Sequence, residues 1–417
     1  MLKKIKLQDV GPAKSMDVPF APRLNILAGD NGLGKTFILD IAWWVLTRTW
    51  AGLPAWPEPM DNSHPKIEFR VLRDKQKEDS ESIIYSPNLQ DWGPADVSPT
   101  DKLVIYARSD GGVCVWDPAR AVKNHSKNVN VASGFFNFTA DQIWNGLETE
   151  KKIQCNGLIR DWDIWRYQKE KTFNIFSNVL AGLSPDPGEM MRPGKSIRLK
   201  VDDARSIPTV ELPYGKVPVT HLSAGMRRVM GFAYLLVWAW DEHQEAVKLT
   251  KRKAADRLIV LFDEVEAHLH PKWQRAFLPA VFSVVDLLQE DIGIQIVAST
   301  HAPLVLASVE PLFDEARDQI VHVALDKGDV KTVIVPWAKQ GDTVNWLVSD
   351  VFGLKQARSR EAERAIEAAE AFMRGDLNSL PSQLNSQKTI HDELLRVLAG
   401  HDPFWPRWIV KTEEASP

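Results

Sequence analysis

Two cysteines in 417 residues, Cys114 and Cys155, are too few for a disulfide framework and have no metal-ligand spacing. That fits a reducing compartment, with both thiols expected as small core residues. Long apolar runs are missing too. The stretch around Trp43 to Trp50 is too short and too interrupted to span a bilayer. The lysines at positions 3, 4 and 6 have no long apolar region behind them, so no secretory leader is expected. Neither sign of charge dominates. A formal net charge of −4 excludes a polycation, so any contact with nucleic acid has to use a local patch. Internal repeats and low-complexity tracts are absent. The expectation is a soluble, cytoplasmic chain with room for about two to three domains. Tryptophan is in excess, with sixteen residues, and most lie in apolar helical stretches where packing explains them.

Against this background, Gly29-Asp30-Asn31-Gly32-Leu33-Gly34-Lys35-Thr36 is a complete G-x-x-x-x-G-K-[ST] phosphate-binding loop. The apolar run Leu24 to Ala28 reads as the strand that feeds it, and Phe37 to Leu46 as the buried helix that leaves it. Gly29, Gly32 and Gly34 let backbone N–H groups wrap an anion, and the helix N-terminus points at the phosphates. Lys35 is expected on the β- and γ-phosphates, and the Thr36 hydroxyl on Mg²⁺.

Three further motifs lie in the second half. Leu222-Ser223-Ala224-Gly225-Met226-Arg227-Arg228 opens a long apolar helix, Val229 to Trp240. Ser223 and Gly225 there offer a hydroxyl and unhindered amides to an anion. Leu258 to Phe262 is a buried strand ending in Asp263-Glu264, where open α/β sheets bind ligands. Asp263 suits the metal shell and Glu264 a general base for water. Ile294 to Ala298 is another buried strand, ending in Ser299-Thr300-His301, whose imidazole suits sensing the γ-phosphate. Between these motifs, Glu266-Ala267-His268-Leu269-His270-Pro271 places two histidines two apart. With no third and fourth ligand nearby, this is a weak metal signal.

The order of these four motifs resembles the ABC-type ATPases of the RecF/SMC branch. Within that branch it is most similar to the overcoming-lysogenization-defect (OLD) family and related ATPases of prokaryotic anti-phage systems of the Septu or PARIS kind. The resemblance covers residues 1 to about 355. It implies ATP and Mg²⁺ as cofactors, with Gly29 to Thr36 on the nucleotide, Thr36 and Asp263 on the metal, and Glu264 as base. It also implies His301 as the switch histidine, and Ser223 with Gly225 acting across a homodimer interface on the other subunit's nucleotide. The family's metal-reading glutamine has no clear counterpart, Gln142 being a weak candidate.

The expected fold class is α/β: an ABC-type phosphate-loop nucleotide-binding domain with an antiparallel β lobe, a helical insertion and a helical C-terminal extension. Residues 1–120 would form the N-terminal half of the ATPase domain with the β lobe, Leu103 to Ala107 and Gly112 to Trp116 included in that lobe. Residues 121–195 would be the helical insertion, beginning with a polar loop (Lys123, His125, Lys127) and continuing as helices over Phe138 to Leu147 and Ile153 to Leu183. Residues 196–343 would complete the ATPase domain and 344–417 form the extension. Asp326 and Asp329 sit in a short hairpin without the spaced acids of a nuclease metal site. The helix Ser359 to Arg374 has an amphipathic face, and the chain closes on aromatic residues, His401 to Trp408. No nuclease is expected. The function that follows is ATP hydrolysis in a homodimer or higher homo-oligomer that senses infection and controls a separate effector, a nuclease or toxin. A RecF-type repair ATPase clamping DNA is the alternative, with DNA as its partner. A transport ATPase is disfavoured because neither a membrane segment nor a membrane-coupling lobe is recognisable.

Overall fold

The computed structural model describes residues 1–58, 64–74, 77–93, 98–121 and 134–414. The polar loop residues Lys123, His125 and Lys127 lie outside the described residues. The chain divides into two compact units, Met1–Thr343 and Val344–Pro417.

The first unit opens with β1 (Leu2–Val10), β2 (Ala13–Pro19) and β3 (Leu24–Gly29), followed by α1 (Lys35–Thr47). Next come β4 (Lys66–Asp74), β5 (Lys77–Ser86), β6 (Asp91–Trp92), β7 (Leu103–Ala107), β8 (Val113–Trp116) and β9 (Phe135–Phe138). Then follow α2 (Ala140–Asn145), β10 (Leu147–Thr149), β11 (Lys152–Cys155), α3 (Leu158–Gln168) and α4 (Glu170–Gly182). Short strands β12 (Arg192–Pro193), β13 (Ile197–Arg198), β14 (Ser206–Ile207), β15 (Thr209–Leu212) and β16 (Gly215–Pro218) lead to α5 (Ala224–Thr250). The unit ends with β17 (Arg257–Phe262), α6 (Pro271–Val285), β18 (Gly293–Thr300), α7 (Pro303–Val309), β19 (Asp318–Asp326) and β20 (Asp329–Val335).

Two sheets organise this unit. An eight-stranded sheet runs β20-β19-β3-β18-β17-β7-β8-β9, and a five-stranded sheet runs β2-β1-β4-β5-β6. The pairs β19–β3, β3–β18, β18–β17 and β17–β7 are parallel, so five adjacent strands point the same way. Every residue of β3 is buried, as a central parallel strand covered on both faces requires. The five-stranded sheet is antiparallel where β1 meets β2 and β4, and where β4 meets β5.

The expected β lobe therefore needs correcting. Leu103–Ala107 and Val113–Trp116 are not part of it but extend the central sheet beyond β17. A fully apolar run such as Leu-Val-Ile-Tyr-Ala fits either sheet by composition, and only the pairing distinguishes them. The insertion is also less helical than its apolar content suggests. Phe135–Phe138 closes the central sheet, and Leu147–Thr149 pairs with Lys152–Cys155 as a hairpin where helix was expected.

In the second unit, α8 (Thr343–Val348) is followed by α9 (Arg360–Arg374), α10 (Gln387–Val397) and α11 (Trp405–Glu414). Ser359 caps α9 by accepting the Ala362 N–H. The apolar face of α9 (Ala362, Ala365, Ile366, Ala369) packs with Ile390, Leu394, Phe404, Trp405 and Trp408 in one core. The closing aromatics are thus covered by their own unit, and the Trp408 indole N–H donates to His391 Nδ1 at 3.1 Å. No helix among the described residues is long and apolar enough to cross a membrane.

Candidate active site

The strand order β3-β18-β17 brings three sequence motifs side by side. The phosphate loop follows β3, Asp263-Glu264 follows β17, and Thr300-His301 ends the strand between them. Register pairs Phe262 with Ala298 and Thr300 with Ala28, so all three loops leave the sheet at one level. This is the carboxyl edge of a parallel sheet, where α/β folds place ligands.

The loop itself is shaped by close approach. Gly29 has φ 139°, and a Cβ there would meet the Val323 carbonyl oxygen at 2.1 Å, so only glycine fits. Gly34 precedes α1 with no side-chain cap, leaving the first-turn amides to an anion. The Lys35 ammonium is buried and reaches the carbonyls of Gly29 (2.8 Å) and Asp30 (2.7 Å). Burial pushes its pKa down, opposed by the nearby charges of Asp30, Glu266, Asp263 and Glu264.

A cavity of about 470 Å³ lies over the loop. Its lining includes Gly32, Lys35, Thr36, Asp263, Glu264 and His301. The Thr36 hydroxyl donates to the carboxylate of Asp263, 2.9 Å from Oδ1 and 3.1 Å from Oδ2. Asp263 is buried and also accepts from the Ser299 hydroxyl at 2.8 Å. These hard oxygen donors, adjacent and open to the phosphate loop, fit a Mg²⁺ that takes its remaining ligands from phosphate and water. No group of three or more His, Cys, Asp or Glu able to hold a metal occurs among the described residues, as such a shared site requires none.

Glu264 stands in the left-handed region at φ 48°. Its N–H donates to Ser299 Oγ (2.8 Å), and its carbonyl accepts from Ala267 N–H (2.8 Å) and Arg228 Nη2 (3.0 Å). Its carboxylate makes no hydrogen bond among the described residues and faces the cavity. A carboxylate so placed can accept a proton from water beside the phosphate loop.

Arg228 and Asp40 also act at the site, in roles that no motif states. Arg228, from the Leu222–Arg228 motif, also donates to the Asp263 carbonyl (2.8 Å) and so ties α5 to the acidic turn. Burial lowers its pKa. Asp40, one turn beyond Thr36, lines the cavity and accepts from the Tyr106 hydroxyl at 3.0 Å. Burial raises its carboxyl to about 6. Its i+4 spacing from Thr36 on a helix was the available signal.

Other expected residues are elsewhere. Ser223 is exposed and caps α5 through Met226 N–H (3.3 Å). Neither it nor Gly225 lines the cavity. Gln142 does not reach the site: its Oε1 accepts the Thr139 N–H (2.9 Å) in a capping box at the start of α2, which explains the residue without any metal. His270 caps α6 by accepting the Lys272 N–H (3.3 Å).

A family model described as "AAA domain, putative AbiEii toxin, Type IV TA system" matches residues 156–307, which span Ser223, Asp263, Glu264 and His301. The phosphate loop, the acidic turn and His301 follow three neighbouring parallel strands, and that arrangement decides the fold. The chain is an ABC-type ATPase. In the order of its motifs this ATPase resembles the RecF/SMC branch. The ATPase is similar to the Septu protein PtuA of Bacillus thuringiensis, 22% identical over 387 residues that cover 86% of each chain. It is also similar, at 46% identity over 52 residues, to the Retron Vc95 probable ATPase of Vibrio cholerae serotype O1 biovar El Tor. That stretch covers 12% of this chain and 9% of the relative. Among solved structures, the SMC head bound to the C-terminal winged-helix domain of ScpA aligns with a TM-score of 0.44 at 18% identity, over 81% of this chain and 98% of that one.

Proposed function

We propose that this ABC-type ATPase hydrolyses ATP to ADP and phosphate, with the nucleotide completed by a second copy of the chain, and that it controls a separate effector in anti-phage defence. The observation that carries the hydrolytic reading is the unpaired Glu264 carboxylate beside the Thr36–Asp263 pair. In this reading Lys35 and the loop amides bind the β- and γ-phosphates. Thr36 and Asp263 would hold Mg²⁺, which when bound neutralises charge on the phosphates. Glu264 orients water and takes its proton, and His301 contacts the γ-phosphate. Positioning and electrostatics suffice, so no covalent intermediate is needed.

Ser223, exposed, and Gly225, half-buried, lie at the start of α5 away from the chain's own cavity and are assigned to the nucleotide of the partner copy. The defence role is supported by the similarity to the Septu protein PtuA along 86% of both chains. Cells expressing this chain with its neighbouring genes, challenged with phage, test the role. Protection should need both this chain and a neighbour, and Lys35→Ala should abolish it. Protection that survives Lys35→Ala would contradict the proposal.

A further inference from the structure

The Glu266-to-Pro271 segment stood out in the sequence, and the hydrolytic reading gives Glu266 no task. In the structure its carboxylate is fully engaged. One oxygen accepts the backbone N–H of His301, and the other accepts the Thr300 hydroxyl at 2.8 Å. Thr300 Oγ1 in turn accepts the Ala302 N–H at 3.0 Å. One residue earlier on each side, Val265 N–H donates to the Ser299 carbonyl (3.1 Å), and Ser299 Oγ bridges the Asp263 carboxylate and the Glu264 N–H. The tip of β18 is therefore laced, residue by residue, to the acidic turn after β17.

We propose that Glu266 is a positioning residue that fixes the His301 imidazole relative to the Glu264 carboxylate. The two groups expected to face the γ-phosphate belong to different loops, and Glu266 is a side chain of the acidic turn that grips the His301 backbone. A carboxylate is suited to this because it accepts two hydrogen bonds at once from a fixed N–H and a hydroxyl. The same turn carries the His268 carbonyl against Gly225, where a Cβ would approach it to 2.6 Å. The backbone that holds His301 thus also supports the start of α5.

The proposal rests on the ATPase chemistry above, so its test runs beside Glu264→Gln on the full-length protein. Glu266→Ala should lower kcat for ATP by roughly 10- to 100-fold, the loss expected when a reacting group is misplaced by about 1 Å, with KM little changed. Glu266→Gln keeps an acceptor for the His301 N–H and should restore most of the turnover. Combining Glu266→Ala with His301→Ala should be no slower than His301→Ala alone, because one interaction is being removed twice. The proposal is overturned if the two losses multiply, if His301→Ala or Glu266→Ala leaves kcat unchanged, or if Glu266→Gln is as damaging as Glu266→Ala while ATP still binds. The last result would make Glu266 a proton carrier. If Glu266→Ala does not fold, Thr300→Val, which removes the hydroxyl donated to Glu266, takes its place in the cycle with the same expectation. Normal hydrolysis by Glu264→Gln would instead strike the ATPase chemistry on which all of this stands.

Discussion

The Thr36 hydroxyl lies 2.9 Å from Oδ1 of Asp263, although 227 positions separate the two residues in the chain. One belongs to the helix leaving the phosphate loop and the other to the turn after β17. Two strands, β3 and β17, flank β18, and that arrangement closes the gap. The contact matters because it holds a hydroxyl and a carboxylate together, the hard oxygen donors that a bound Mg²⁺ would take.

Asp263→Asn should therefore uncouple nucleotide from metal. Affinity for an ATP analogue, measured by calorimetry with Mg²⁺ and then with EDTA, should depend strongly on the metal in the parent and weakly in the variant. Turnover should fall by roughly 10²-fold or more, as when an electrostatic stabiliser of the transition state is lost. An unchanged magnesium dependence would remove Asp263 from the metal.

Asp40 gives the site a pH signature. Burial holds its carboxyl at about 6 in the folded chain against an ordinary 3.8. Between those values the folded state binds the extra proton, so stability falls as pH rises through the window and the penalty is complete above it. Asp40→Asn keeps an acceptor for Tyr106 and removes the penalty. The nucleotide-free variant should be more stable than the parent at neutral pH, by at most about 3 kcal/mol at 1.36 kcal/mol per pKa unit, and nearly equal to it at about pH 4. Chemical denaturation at the two pH values reads this directly. A stability difference independent of pH would refute it.

Ser223→Arg tests the second copy. The residue is exposed and outside its own chain's cavity, so the variant should still bind ATP through Lys35 yet lose hydrolysis and ATP-dependent dimerisation. Mixing it with Lys35→Ala protein should restore one working site per mixed dimer, because each partner supplies what the other lacks. Normal hydrolysis by Ser223→Arg alone would contradict a shared site.

Much of this site is legible in the sequence because its parts are local. A glycine-rich loop between an apolar strand and an apolar helix, or an acidic pair closing an apolar run, needs no tertiary information to be read. What stayed hidden depends on pairing or on distant partners. Leu103 to Ala107 reads as a buried strand, but nothing local says that it joins β17 rather than the β lobe. Leu147 to Cys155 has no clear period of its own and becomes a hairpin by pairing with itself. Arg228 and Glu266 sit inside recognised motifs, yet their tasks are defined by backbone groups 35 residues away. The closing aromatics Trp405 and Trp408 could equally have met a partner. Only the helices α9 and α10, folding beneath them, show what covers them.

The most direct test of the account is a paired measurement on Glu264→Gln: affinity for ATP with Mg²⁺, and the steady-state rate of phosphate release. Binding should be retained while release falls by roughly 10²–10⁴-fold, the range for a lost general base. Retained binding with undiminished phosphate release would contradict the assignment of Glu264 and, with it, the mechanism proposed for this site.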